Sequence, residues 1–130
     1  MWVILPMADA AAVLAPKPDF ARLAAFERRL GITGLTVFGR YPQASESDIE
    51  VRAFAPYCGV EEDPVCGSGN ASVAAFQWAR GPLPAGGMSY VAAQGRCVGR
   101  DGRVRVQVSA DGQVRVGGAC ITCVDGRLAL

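Results

Sequence analysis

Apolar positions recur along this chain in two rhythms, and the rhythms predict its elements. Trp2 to Leu5 is a short apolar run ended by Pro6, which suits a buried opening strand. Pro18-Asp19 then punctuates the chain and begins a helix, with Asp19 as N-cap or first-turn acid. Phe20, Leu23, Ala24, Phe26 and Leu30, set against the Glu27-Arg28-Arg29 cluster, give that helix an amphipathic face, and Gly31 stops it. Thr33 to Phe38 and Ile49 to Phe54 read as strands, the second alternating apolar and polar as a half-buried strand does. The polar loop Tyr41 to Asp48 lets them pair antiparallel. Ala55 to Cys66 is a long irregular connection with two prolines and three acids, and loops of that length in a compact domain are often functional. Ser68 to Arg80 is apolar on nearly all sides through Ala71, Val73, Ala74, Ala75, Phe76 and Trp78, which predicts a buried, central helix. Gly81 to Gly87 breaks it. Met88 to Ala93, Val104 to Val108, Val114 to Val116 and Cys120 to Val124 are predicted strands, and Leu128 to Leu130 closes the chain. Asp101-Gly102, Asp111-Gly112 and Asp125-Gly126 mark the turns of a meander.

The elements predict an α+β fold: an antiparallel, barrel-like sheet wrapped around a central buried helix, with a second, outer helix. At 130 residues the chain reads as one domain, 1–130, large enough to bury a core. A net charge of +1, with arginines spread among acids, gives no electrostatic footprint for nucleic acid. Nor does any stretch approach the length of a membrane span. Met1 to Pro16 is apolar but lacks a basic lead-in and carries Asp9, so it reads as mature structure and the expected location is cytoplasmic. Five cysteines, an odd and sparse count, do not suggest a disulfide framework. The absence of histidine removes the commonest general base and metal ligand, and neither a metal nor a cofactor is expected.

Candidate chemistry concentrates between Glu61 and Ala75, which read EEDPVCGSGNASVAA. Two glycines about a serine open a small-residue helix, and the first amides of a helix lack internal partners while carrying the positive end of its dipole. Gly67, Ser68, Gly69 and Asn70 could therefore cradle a carboxylate or phosphate on backbone amides. The bland alternative is a helix cap open to solvent. Cys66, just before that helix, should have its thiolate stabilised, as a base near neutral pH requires; otherwise it is a half-buried cysteine. Asp63 could relay a proton or bind a substrate ammonium, or simply hydrogen-bond neighbouring amides ahead of Pro64. Glu61 and Glu62 read as a solvated acidic turn. Trp2, Phe76 and Trp78 read as core. Cys120 and Cys123 have CxxC spacing, but residues three apart in a strand face opposite ways and no second pair completes a tetrahedral site. They read as core or half-buried strand cysteines.

VRAFAPYCGVEEDPVCGSGNASVAAF, followed by YVAAQGRCVGRDGRVRV and QVRVGGACITCVDGRLAL, resembles the phenazine-biosynthesis PhzF-like isomerase family of the diaminopimelate-epimerase fold. The resemblance runs from about Trp2 onward and is most specific at EDPVCGSGN. It implies antiparallel strands around a central helix. It also implies a longer protein of two pseudo-symmetric domains with the active site in the cleft between them, this chain matching the second domain. The family's principal acid/base glutamate lies in the first domain and has no counterpart here. The resemblance carries Asp63 to the acidic position, Gly67 and Ser68 to the substrate-cradling turn, and Cys66 to a position where epimerase relatives place one of two catalytic cysteines.

Two functions are expected from these readings. The first is a proton-transfer isomerase or epimerase acting without cofactor on a small, amino-acid-like carboxylate, its site completed by a second copy in a homodimer or by a partner domain. The second is a non-catalytic half-domain that binds a small anion or a partner protein, or a truncated product that folds without function. An unpartnered half should expose an apolar face in either case.

Overall fold

Asp19 begins a helix as its position predicts. The computed structural model describes residues 1–81, 84 and 86–129. Within them the Asp19 carboxylate accepts the Arg22 amide, and helix α2 (Phe20–Leu30) ends at a left-handed Gly31. Strand β1 (Trp2–Pro6) and a short helix α1 (Ala10–Leu14), capped by Asp9, precede it. Strands β2 (Gly34–Arg40) and β3 (Ile49–Ala55) then pair antiparallel across the polar loop. The connection expected to be irregular holds a helical turn at Pro56–Cys58 and strand β4 (Val60–Asp63). Helix α3 spans Gly67–Ala79, and strands β5 (Met88–Gln94), β6 (Gly102–Val108) and β7 (Val114–Gly117) follow. Pro82, Leu83 and Ala85 of the predicted helix break, and Leu130 of the predicted closing segment, lie outside the described residues.

The fold is α+β, but its sheet is neither all antiparallel nor closed. Six strands run in the order β1-β2-β3-β5-β6-β7, and β4 adds to β3 off that path. The β1–β2 and β3–β5 pairs are parallel. The reason is connectivity: α1 and α2 separate β1 from β2, and α3 lies between β3 and β5. Such crossovers return the chain in its starting direction, which a tight hairpin cannot do. The remaining pairs are antiparallel, with β5, β6 and β7 forming the predicted meander.

Helices cover both faces. On one, Val73 and Ala74 of α3 pack with Phe38, Ile49, Val51, Tyr90, Val104 and Val106. On the other, Val13 of α1 meets Val37 and Phe54, with Phe20 and Leu23 of α2 against them. Because the sheet does not close, α3 is covered on one side only. Val73 and Ala74 are fully buried, whereas Ala75 is exposed and Trp78 is 44% exposed. Neither the enclosure of α3 nor a core position for Trp78 is therefore seen. Residues 118–129 form no strand, and Ile121, Val124 and Leu128 are more than four-fifths exposed, at 89%, 87% and 85%. An alternating apolar segment becomes a strand only where an edge pairs with it, and no edge among the described residues reaches this one. Cys120 and Cys123 are accordingly free and exposed, not strand-core cysteines.

Candidate functional site

The site follows from a fork along one edge of β3. The first half of that edge pairs with β5, Val51 opposite Gln94, and the second half with β4, Ala53 opposite Asp63. As β5 runs parallel to β3 and β4 antiparallel, their last residues converge. Gln94 is fully buried there. Its Nε2 donates to the Asp63 carbonyl at 2.7 Å, and its Oε1 accepts from the Cys66 amide at 3.2 Å and from Asn70 Nδ2 at 2.8 Å. Asn70 Nδ2 also donates to the Cys66 carbonyl at 2.9 Å. One glutamine and one asparagine thus lock the backbone on both sides of Cys66. Nothing in the sequence reading singled out Gln94; its only signal is a polar residue directly after the apolar run Val91–Ala93.

Cys66 is the N-cap of α3, and the first intrahelical bond runs from the Asn70 amide to its carbonyl at 3.0 Å. Its sulfur accepts the Gly69 N–H at 3.2 Å and lies 3.6 Å from Ser68 Oγ. Ser68 Oγ in turn accepts the Trp2 indole N–H at 3.1 Å. Trp2, read as core, is therefore half-buried at the edge of the site. A Cβ on Gly69 would stand 3.0 Å from the sulfur and 3.1 Å from Thr36 Oγ1, so a larger residue here would press on both. A Cβ on Gly67 would meet only Val116 Cγ2, at 4.0 Å, so the space beside the first residue of α3 is open. Asn70 Oδ1 and Thr36 Oγ1 are buried without hydrogen-bond partners.

The thiol corrects one expectation. Burial, the largest influence, pushes Cys66 above the ordinary thiol value, and the charge and hydrogen bond of Asp63 push the same way. The Gly69 amide and Ser68 hydroxyl pull it down, as a helix N-terminus should, but they do not prevail. Asp63 Oδ1 also accepts the Val65 amide at 3.0 Å, the local turn bond foreseen ahead of Pro64. The carboxylate both shapes the turn and, through its charge, disfavours the thiolate.

Glu62 is not part of a solvated turn. Pointing to the opposite sheet face, it grips Arg52 in a two-pronged pair at 3.0 Å and 2.8 Å, with both side chains 4% exposed. Arg52 further donates to the carbonyls of Val13 and Pro16 at 3.3 Å and 2.8 Å. An open cleft of about 750 Å³ borders the α3 N-terminus, lined by Val65, Gly67, Arg103, Arg105 and Val116 among others. Arg103 is already paired there with Asp101 and with Glu46, at 3.7 Å for the latter, and neither it nor Arg105 was singled out by the sequence reading. Among the described residues, no group of three or more His, Cys, Asp or Glu is placed to hold a metal ion. No helix among them is long and apolar enough to cross a membrane.

Known proteins match this chain over nearly its whole length. The family model described as "Phenazine biosynthesis-like protein" matches residues 1–126. A Deinococcus radiodurans protein named as an uncharacterized isomerase is 34% identical over 128 residues, covering 91% of this chain and 40% of the relative. A Schizosaccharomyces pombe protein named in the same way is 32% identical, covering 95% of this chain and 68% of the relative. Among solved structures, an Enterococcus faecalis phenazine biosynthesis protein of the PhzF family superposes with a TM-score of 0.66 at 25% identity, covering 88% of this chain and 39% of that one. A Bacillus anthracis PhzF-family protein gives a TM-score of 0.70 at 19% identity, with 87% and 40% covered, and shares the fold. This chain spans about two-fifths of the length of the first of these relatives.

Proposed function

The chain belongs to the phenazine biosynthesis-like (PhzF) family, and from that membership we propose that it forms one wall of a proton-transfer isomerase or epimerase site. The observation that carries the reading is the convergence of Asp63, Cys66 and Ser68 on the open N-terminus of α3. A small, amino-acid-like carboxylate would dock on the Gly67–Ser68–Gly69 amides, with Asn70 holding the turn in shape. Asp63 would draw the proton from Cys66, and the resulting thiolate would take the substrate α-proton. A group on a second wall would return a proton to the opposite face. The chemistry needs only protein acids and bases, so no cofactor forms part of the proposal.

The second wall would come from a second copy of this chain or from another domain, in a diaminopimelate-epimerase-like arrangement. The uncovered side of α3 and the exposed, apolar segment 118–129 support this, because both are surfaces a partner would bury. Five free cysteines suit a reducing, cytoplasmic setting.

One observation favours a second reading, an anion- or partner-binding half without catalysis: burial and Asp63 hold Cys66 toward its neutral form. Exchange of α-protons in D₂O, followed by NMR across a panel of amino and hydroxy acids, separates the two. Catalysis predicts exchange that disappears in Cys66→Ala and Cys66→Ser. Absence of exchange with every compound selects the binding reading, and undiminished exchange in either variant removes the thiol mechanism.

A further inference from the structure

The hydrogen bonds around Cys66 have a direction, and it originates in a residue far away in the chain. Heavy-atom geometry alone lets either Cys66 Sγ or Ser68 Oγ donate across their 3.6 Å contact. Trp2 restricts the choice. An indole N–H donates and cannot accept, so its 3.1 Å bond occupies a lone pair of Ser68 Oγ. Asp63 acts on the thiol through its negative charge, which disfavours the thiolate. A hydroxyl that accepts from an indole is polarised into a stronger donor, and the sulfur at 3.6 Å is the acceptor that its O–H meets. The sulfur then presents lone pairs to the Gly69 N–H, at 3.2 Å, and to the Ser68 O–H.

We propose that Trp2 is a positioning residue that sets a one-way run of donors, Trp2 to Ser68 to Cys66, with the Ser68 hydroxyl proton aimed at the sulfur. The fold supplies the support this role needs. β1 pairs parallel with β2, Trp2 opposite Gly34, and a Cβ on Gly34 would stand 2.6 Å from Trp2 Cζ3. The ring therefore lies directly over a bare Cα that admits no larger residue. Asp63 is the charged group that acts on the thiol, while the Ser68 and Thr36 hydroxyls and the Gly69 amide around it are neutral. When the thiol gives its proton to solvent hydroxide as pH is raised, the sulfur keeps its electron pair and the Ser68 O–H and Gly69 N–H are already aimed at the new thiolate. In Trp2→Phe the ring remains but the donor is lost, so Ser68 is free to turn and accept from the thiol.

The role of Trp2 in turnover rests on the isomerase reading; the direction of the run does not, and the experiment keeps the two apart. The Cβ resonance of Cys66, in protein labelled with ¹³C-cysteine, reports thiol against thiolate as pH is raised. Trp2→Phe should move its midpoint upward by about half a pH unit or more, the scale of one lost hydrogen bond to a thiolate. Ser68→Ala should do the same, and the double variant should add nothing further. Ser68→Ala should also shift the Trp2 indole N–H signal, assigned by its persistence in Trp78→Phe, and this keeps the test decisive should Trp2→Phe fail to fold. An unmoved midpoint in Trp2→Phe, an unmoved indole signal in Ser68→Ala, or additive shifts in the double variant would each overturn the proposal. Where wild-type exchange is measurable, Trp2→Phe should lower kcat and spare KM. Absence of any exchange would count against the isomerase reading and leave the titration to judge Trp2.

Discussion

Glu62 and Asp63 are neighbours in the chain and opposites in the molecule. They end the same strand, and the two-residue period of a strand sends them to different faces. Glu62 enters the α1–α2 side, where Arg52 meets it with two hydrogen bonds and uses two further donors on the Val13 and Pro16 carbonyls. The Arg52 guanidinium also lies 4.9 Å from the Phe54 ring centre. Four of the five Arg52 donors and both Glu62 oxygens are engaged within the protein. Asp63 enters the α3 side, beside a buried thiol, an open helix terminus and two buried oxygens without partners. The difference separates structural polar groups from chemical ones: both are buried, but only one set has unfilled capacity.

Breaking the saturated side should have the largest effect. Glu62→Ala leaves Arg52 buried without its counter-charge, a change that destabilises proteins by about 3–5 kcal/mol. Replacing both partners with apolar residues of similar size should recover most of that loss, since a buried pair and a well-packed apolar pair are often close in stability. Urea unfolding of the single and double variants measures both. If Glu62→Ala costs under about 1 kcal/mol, the pair is solvated like a surface ion pair and the contrast with Asp63 fails.

The opposite side should respond in activity more than in stability. Gly69→Ala replaces a helical glycine, which by propensity alone favours the helix by up to about 1 kcal/mol. Against this, the new Cβ would stand 3.0 Å from the Cys66 sulfur and 3.1 Å from Thr36 Oγ1. The expected result is a stability change within about 1 kcal/mol together with a marked loss of α-proton exchange. Equal loss in both would make the turn a structural knot like the Arg52 pair. Unchanged exchange would mean that the sulfur position is not critical.

These contrasts were only partly legible in the sequence, and the reason is distance along the chain. Helix α2 could be read because Asp19 and Gly31 sit at its own ends and act locally. The β2–β3 hairpin could be read because its loop is short. Parallel pairing could not, since it depends on which side a crossover helix packs. The segment from Cys120 to Val124 has a strand's pattern, but pattern cannot say whether a partner edge exists. At the site, Asp63, Cys66 and the glycine turn are contiguous and announced themselves. Gln94, Trp2 and Thr36 reach the same spot from three other strands, and nothing local marks them. The acid-rich run hid the role of Glu62, which reads as solvated until the strand turns it onto the face where Arg52 lies.

The smallest expected effect tests whether saturation on the α1–α2 face extends beyond Arg52. Glu50 lies two residues before Arg52 on β3, so it shares that face, and it is fully buried. Its Oε2 accepts the Tyr41 hydroxyl at 2.5 Å, and the half-exposed Arg96 stands 4.0 Å away, but Oε1 has no partner. Burial, partly offset by the Tyr41 bond and nearby arginines, raises the Glu50 carboxyl above its ordinary value of 4.5. The folded state therefore holds this proton more tightly than the unfolded chain. The resulting stabilisation is complete below pH 4.5 and declines as pH rises through the folded-state value. Glu50→Gln keeps an acceptor for Tyr41 and removes the titration. Thermal midpoints recorded from pH 4 to pH 8 should fall more steeply for wild type than for the variant over the acidic part of that range, then run parallel. Curves that are parallel throughout would mean that Arg96 and Tyr41 satisfy Glu50 as completely as Arg52 satisfies Glu62, and saturation would then extend along β3 from Arg52 to Glu50.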